Sequence, residues 1–110
     1  MTEVRKATPG TISHGTLRTE DLLEAFAGEL QHHIARNAER WCSDEGRRER
    51  DRLMDLIGAA GEVDPDSEDA QEILEAIVDE LQVFAPDGHY FGAHPGDGSD
   101  FGYWPIEGDA

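Results

Sequence analysis

The sequence predicts an α+β fold in which three main helices pack against a C-terminal, aromatic-rich β-hairpin. Apolar residues recur at helical spacing in three segments, near residues 19–38, 44–60 and 65–84. Two aromatic runs, HYFG and DFGYW, flank the turn-forming segment HPGDGS near residues 89–104. A chain of 110 residues without an internal repeat is expected to form a single domain.

The N-terminal segment offers few folding signals. Residues 1–10 are polar and contain a Pro-Gly pair, so we expect a flexible arm. Residues 11–17 (TISHGTL) contain β-branched side chains, which favour a short N-terminal edge strand or an extended lead-in to the first helix. Gly15 argues against a long strand.

The first two helices have recognisable starts. Thr19 is expected to cap the first, and Gly28 inside it suggests a close helix crossing. Trp41 and Cys42 are expected at the edge of the core, before a second helix that Ser43 or Asp44 caps. Gly61 is expected to end that helix. Its RRERDR segment interleaves acids with arginines, which is more typical of an ion-paired solvated face than of a nucleic-acid patch. The predicted apolar positions of both helices are Leu22, Leu23, Phe26, Leu30, Ile34, Leu53, Met54 and Ile57.

The third helix has one apolar and one acidic side. Asp64 followed by Pro65, or Ser67 one turn later, is expected to begin it, and Pro86 and Gly88 to end its path. The apolar side comprises Ile73, Leu74, Ile77, Leu81 and Phe84. The opposite side is the acidic stripe, which consists of Glu68, Asp69, Glu72, Glu75, Asp79 and Glu80. The stripe is either a solvated surface or a binding surface.

The charge distribution favours a binding surface. Residues 53–110 contain fifteen acidic residues and no Lys or Arg, and they account for nearly all of the net charge of −16. Such a field destabilises the fold by self-repulsion, repels nucleic acid and anionic membranes, and attracts basic protein surfaces. We therefore expect a basic protein partner and no direct nucleic-acid or membrane binding.

Composition also indicates the cellular compartment. Cys42 is the only cysteine, so no disulfide forms within the chain, which fits a reducing cytoplasm. No segment resembles a signal peptide or approaches the ~20 apolar residues of a membrane span. The hydrophobic fraction of 37% is low, and a homodimer would enlarge a thin core.

Two segments contain residue types that bind metal ions. Aligned with a twelve-residue calcium loop, five acids occupy ligand positions, but Asp69 stands where the loop needs Gly, and a continuous helix would spread the ligands apart. In the hairpin turn, local backbone bonding explains the polar residues better than zinc does, because only two histidines lie nearby. We predict no metal and no cofactor. The residues considered are Asp64, Asp66, Glu68, Glu72 and Glu75 for calcium, and His89, His94, Asp97, Ser99 and Asp100 for the turn.

No catalytic residue is predicted. Ser13, His14 and Cys42 lack the partners of a nucleophilic site, and FGAHPGDG lacks the Lys and the following helix of a phosphate-binding loop. We therefore expect a protein that acts by binding rather than by catalysis.

The segments TISHGTLRTEDLL and FGAHPGDGSDFGYW, together with the acidic middle, resemble small acidic phage and mobile-element proteins of the anti-CRISPR kind that inhibit type I systems. The resemblance concerns the arrangement of residues 11–105. It implies an inhibitor in the bacterial host cell that blocks its target, in some cases as a nucleic-acid mimic, and it transfers no catalytic residue.

Two functional hypotheses follow. In the first, the acidic stripe imitates DNA and blocks the basic DNA-binding surface of a CRISPR effector or restriction-type enzyme. In the second, the protein is an interaction or immunity-type partner that binds through the hairpin, and its acids serve solubility. The hairpin residues of that alternative are Tyr90, Asp97, Asp100, Tyr103 and Trp104.

Overall fold

A computed structural model describes residues 5–106 and confirms the α+β fold. Its strands are β1 (Gly10–Ser13), β2 (His89–His94) and β3 (Asp97–Pro105). Its helices are α1 (Thr19–Arg36), α2 (Asp44–Glu62) and α3 (Glu68–Gln82), with a short 3-10 helix at Ala38–Cys42. Within residues 5–106, none of the helices is both long and apolar enough to cross a membrane.

The predicted hairpin is part of a three-stranded antiparallel sheet with the order β1-β3-β2. The N-terminal edge strand is confirmed, and it pairs with β3, which becomes the central strand. Gly102 permits this pairing, because a Cβ atom there would lie 2.1 Å from the Gly10 carbonyl oxygen. Phe91 of β2 pairs with Tyr103 of β3, and both side chains point into the core.

The core lies between the helices and one face of the sheet. The apolar side of α3 faces the core as predicted: Ile77 and Leu81 are fully inaccessible to solvent, whereas Ile73 and Leu74 are half-buried against the core. Phe26 of α1 connects helix and sheet, because its ring meets the rings of Phe91 and Phe101 edge-on at 4.9 and 5.4 Å. The position of the acidic stripe follows from this packing, since burying one side of α3 leaves the other in water.

Serine side chains set the starts of two helices. The Ser43 Oγ accepts the Gly46 amide of α2 at 2.9 Å, and the Ser67 Oγ accepts the Ala70 amide of α3 at 3.2 Å. Thus α3 begins at Glu68 rather than near residue 65. The preceding Asp64 instead stabilises a turn, by accepting the Asp66 amide at 3.0 Å.

The first helix begins differently from the prediction. Arg18, not Thr19, is the N-cap residue, and it makes no side-chain capping bond. The Thr16 hydroxyl bonds the chain just before the helix instead, because it accepts the Arg18 amide and donates to Asp21 at 2.7 Å. The helix ends at Arg36, close to the expected end, and the 3-10 helix begins two residues later at Ala38.

Several predictions about single residues were wrong. Met54, expected on the apolar face of α2, is exposed. Cys42 is exposed, although its neighbour Trp41 is buried as expected. Gly28 is exposed with open space around it, so it marks no helix crossing. The close approach occurs at Gly46, where a Cβ atom would lie 2.0 Å from the Arg40 carbonyl oxygen. The second helix ends at Glu62, one residue beyond Gly61.

The described part of the expected arm contacts the domain. Ala7 is buried, and its amide donates to the Phe84 carbonyl at 2.8 Å. The Arg5 amide donates to the Asn37 Oδ1 at 2.6 Å. Residues 5–7 therefore lie across the end of α1 and the segment that follows α3, while residues 1–4 lie outside the described part.

Candidate functional site

The acidic stripe lies on the solvent side of α3. Its carboxylates Glu68, Asp69, Glu72, Glu75 and Asp79 are all on exposed residues. Glu80 differs, because it is half-buried and forms an ion pair with Arg52 of α2. The structure therefore brings five of the six predicted residues together on one open surface and assigns the sixth to a helix–helix contact.

Most arginines of the first half of the chain form ion pairs, but none of these pairs involves the five exposed stripe carboxylates. Within residues 5–106, the ion pairs of arginine join acids of the first half, with the single exception of the Arg52–Glu80 pair. The pair of Arg40 with Glu49 is bidentate, because two guanidinium nitrogens donate to the two carboxylate oxygens at 3.0 and 3.3 Å. The five exposed stripe carboxylates have no ion-pair partner in that described range.

This arrangement lowers the stability of α3. Glu68 with Glu72, and Glu75 with Asp79, are like-charge neighbours four residues apart, and each such pair costs about 0.2–0.5 kcal/mol. Glu68 and Asp69 favour the positive N-terminal end of the helix dipole, but Asp79 lies near the negative end, where the Lys6 ammonium bonds the Val83 carbonyl at 2.9 Å and not Asp79. Helix stability therefore does not account for the acids in the second half of the stripe.

The hairpin residues are divided between the core and the surface. Tyr103 is completely buried, so it is not available to a partner in this structure. Tyr90 and Trp104 pair across β2 and β3 on the outer face of the sheet and are half-buried. Both polar groups are already satisfied, since the Tyr90 hydroxyl donates to the Ala93 carbonyl at 2.7 Å and the Trp104 indole donates to the Gly92 carbonyl at 3.0 Å.

The two predicted acids of the hairpin meet a histidine that directly follows β1. Within residues 5–106, His14, Asp97 and Asp100 form the one group of three whose ligand atoms lie within 4.8 Å of one another. The His14 Nε2 is 3.6 Å from Asp97 Oδ2. Hydrogen bonds from the Ser99 amide and hydroxyl hold the pKa of Asp97 below its usual value.

This cluster has a donor set that divalent transition metals accept, but its shape is open. His14 and Asp97 are exposed, and Asp100 already accepts a hydrogen bond from the Thr11 hydroxyl at 2.8 Å. The two histidines predicted near the turn do not bond the acids of this cluster. His89 donates to the Asp87 carbonyl, and His94 accepts the Gly96 amide. Sequence reasoning missed His14, because 83 residues separate it from Asp97.

The five acids aligned with a calcium loop do not form a loop. Asp64 and Asp66 lie in the turn before α3, whereas Glu68, Glu72 and Glu75 belong to the helix itself. Successive turns of the helix separate the last three by ~4.5–6 Å along its axis. The predicted spreading of these ligands is therefore observed.

A buried polar network was missed by the sequence analysis. The His33 Nε2 lies 2.7 Å from the Glu29 Oε2 and 2.8 Å from the Tyr103 hydroxyl, which itself donates to Glu29 at 2.8 Å. His33 is inaccessible to solvent and stacks on Phe84 at 4.5 Å. The sequence pattern that indicates this network is the position of His33 within the apolar stripe of α1, with Glu29 one helical turn before it.

This network shifts the pKa of two of its members. Burial raises the pKa of Glu29, but the hydrogen bonds from His33 and Tyr103 outweigh it, so the pKa is lower than usual. Burial and the adjacent Glu29 charge raise the pKa of Tyr103 well above its usual value. The His33 Nδ1 is buried without a hydrogen-bond partner among the described residues, whereas Nε2, the Glu29 carboxylate and the Tyr103 hydroxyl bond one another. Because these bonds link α1 to β3, we assign the three groups to the joining of helix and sheet rather than to a site.

Two surfaces thus remain as candidate sites, the acidic stripe and the outer face of the sheet with its His14 cluster. The five exposed stripe carboxylates have no ion-pair partner within residues 5–106, whereas the polar groups of Tyr90 and Trp104 already bond carbonyls of β2. No protein-family model, curated protein or solved structure matches the chain.

Proposed function

We propose that the protein is a non-enzymatic inhibitor that acts as an acidic DNA mimic. Its acidic stripe binds the basic DNA-binding surface of a nucleic-acid-binding complex of a bacterial defence system, as the resemblance to anti-CRISPR proteins implies. The partner is a protein surface rich in Lys and Arg, and the proposed place of action is the cytoplasm of the bacterial host cell.

One observation carries the proposal: five exposed carboxylates lie on one helix without an ion-pair partner within residues 5–106. The arrangement costs helix stability, and nearby arginines pair with other acids instead. A chain that needed acids only for solubility has no reason to concentrate them at like-charge spacing. A basic partner would relieve this repulsion on binding.

The spacing resembles one strand of a nucleic acid more than a duplex. From Glu68 to Asp79, α3 rises about 16 Å and presents a carboxylate every ~4.5–6 Å. Each DNA strand carries one phosphate charge per ~3.4 Å. The stripe is therefore sparser than DNA, and it matches a groove that contacts phosphates mainly along one strand.

The alternative binding surface on the hairpin has weaker support. Tyr103 is in the core, and the polar groups of Tyr90 and Trp104 are satisfied internally. Asp97 and Asp100 are engaged as well, because they accept hydrogen bonds from Ser99 and Thr11. A partner on this face would have to bind without using most of these polar groups.

The test is competition with DNA. A purified type I CRISPR effector is incubated with labelled target DNA and increasing amounts of the protein, and bound DNA is measured at several salt concentrations. We expect the protein to displace DNA, and its own binding to the effector to weaken steeply as salt rises. Binding that is insensitive to salt, or that protects the sheet rather than α3 from hydrogen exchange, would contradict DNA mimicry.

If this effector does not bind, the same assay with a restriction-type enzyme tests the second target class named for the stripe. Failure with both classes would reject the proposed function as stated.

A further inference from the structure

An apolar groove borders the acidic stripe, where α1, α3 and β3 meet. Its volume is about 410 Å³. Two stripe residues, Glu75 and Asp79, form one side of it, and no basic residue lines it. The remaining lining residues are Leu22, Phe26, Leu74, Val78 and Phe101.

The groove exposes the outer edge of the hydrophobic core. Leu74, Val78 and Phe101 pack against buried core residues but remain half-buried themselves. Phe26 closes the floor, with its ring edge-on to Phe101 at 5.4 Å. An apolar group that entered the groove would remove this surface from water, which is favourable in proportion to the area covered.

We propose, on the basis of the function proposed above, that this groove takes an apolar side chain of the basic partner protein. Lys or Arg residues beside that side chain pair with Glu75 and Asp79. The partner segment is thus a basic stretch with one apolar or aromatic anchor, and the groove supplies a specificity that charge alone does not give.

Charge complementarity favours a basic protein segment over the other molecules that could fill the groove. Nucleic acid and anionic lipid are repelled by the two carboxylates at the groove edge. A symmetric dimer formed through the groove would bring two copies of Glu75 and Asp79 together, and such like-charge contacts cost several kcal/mol. A basic segment with an apolar anchor satisfies both the groove and its edge.

The experiment uses two synthetic Lys/Arg peptides that are identical except for a central Trp or a central Ala. Binding to the whole protein is measured by fluorescence anisotropy. We expect the Trp peptide to bind about tenfold more tightly than the Ala peptide. The variant Val78→Thr keeps the side-chain shape but replaces a methyl group in the groove by a hydroxyl, and it should remove most of the Trp preference.

The matched control is Val83→Thr, the same substitution at an exposed position just after α3 that does not line the groove. This variant should retain the preference of the parent protein. Melting curves of both variants confirm that the fold is intact before binding is compared.

The results separate the groove from the stripe. An unchanged Trp preference in Val78→Thr, or equal binding of both peptides by the parent protein, overturns the groove proposal. If charge reversal in the stripe still weakens both peptides in that case, the function of the stripe stands. A dimer that Val78→Thr dissociates would also overturn the proposal, because the groove would then hold a second copy.

Discussion

The Tyr103 hydroxyl donates a hydrogen bond to the Glu29 carboxylate at 2.8 Å and thereby joins the central strand β3 to α1 across 74 residues of sequence. The carboxylate also contacts His33, whose ring is inaccessible to solvent. Glu29 is therefore hydrogen-bonded at the edge of the core, whereas most other acidic residues within residues 5–106 are exposed. The network is therefore a polar contribution to the contact between α1 and β3, in addition to the apolar packing there.

Tyr103→Phe should lower the free energy of unfolding by about 2 kcal/mol, because it removes a buried hydrogen bond to a charged group. Urea denaturation followed by circular dichroism measures the effect. Tyr90→Phe is the matched control, since its hydroxyl bonds a neutral carbonyl on a half-buried residue and should contribute less. Equal losses of unfolding free energy in the two variants would show that the hydrogen bond to Glu29 contributes no more than a bond to a neutral carbonyl.

The stability of the protein should fall in acid through Glu29. Its pKa is lower in the folded protein than the usual value of 4.5, so its contribution is present above about that pH and disappears as pH falls through the folded pKa. Acidification also relieves repulsion among the exposed acids, so the parent protein alone is ambiguous. The difference in stability between parent and Glu29→Gln isolates the effect, and it should shrink between neutral pH and pH ~3. A difference independent of pH would exclude a stabilising role for the Glu29 charge.

Ile77→Asp should unfold the protein. Ile77 is completely buried on the side of α3 opposite the stripe. A charge there has no partner and costs several kcal/mol, against a total stability of about 5–15 kcal/mol for a domain. Val83→Asp introduces the same charged residue at an exposed apolar position and should leave the melting curve nearly unchanged. A folded Ile77→Asp variant would mean that α3 faces the other way.

Periodicity was sufficient to predict the helices and the two sides of α3, because burial of Ile77 and exposure of Glu72 both follow from 3.6 residues per turn. It could not place residues whose partners are distant in sequence. His14 meets Asp97, and Tyr103 meets Glu29, only because β3 lies at the centre of the sheet. An alternating pattern in β3 allowed Tyr103 on either face, so its burial required the packing of Phe26 to be known.

Two glycines of α2 should respond in opposite directions to replacement by alanine. Gly46→Ala should destabilise the protein, because the new Cβ atom would lie 2.0 Å from the Arg40 carbonyl oxygen, a backbone atom that cannot move independently. Gly58→Ala adds a methyl group in open space within the helix, and should stabilise it by about 0.5–1 kcal/mol. Thermal unfolding of the two variants measures both signs. Stabilisation by Gly46→Ala would show that the 3-10 helix does not approach α2 as closely as described.

The function proposed for the stripe predicts that Glu72→Lys combined with Asp79→Lys abolishes binding and leaves the fold intact. Both residues are exposed, and the change removes like-charge neighbours on α3, so stability should stay level or rise slightly.

Against a basic groove, each reversal replaces an attraction by a like-charge contact that costs several kcal/mol, and affinity changes about tenfold per 1.4 kcal/mol. Displacement of DNA from the effector should therefore require at least a hundredfold more of the variant. Glu24→Lys with Asp55→Lys is the control, because it changes the net charge equally at exposed positions of α1 and α2. If both double variants lose activity to the same extent, net charge alone governs binding and α3 presents no specific surface. If neither loses activity, the acids serve solubility and the partner binds elsewhere.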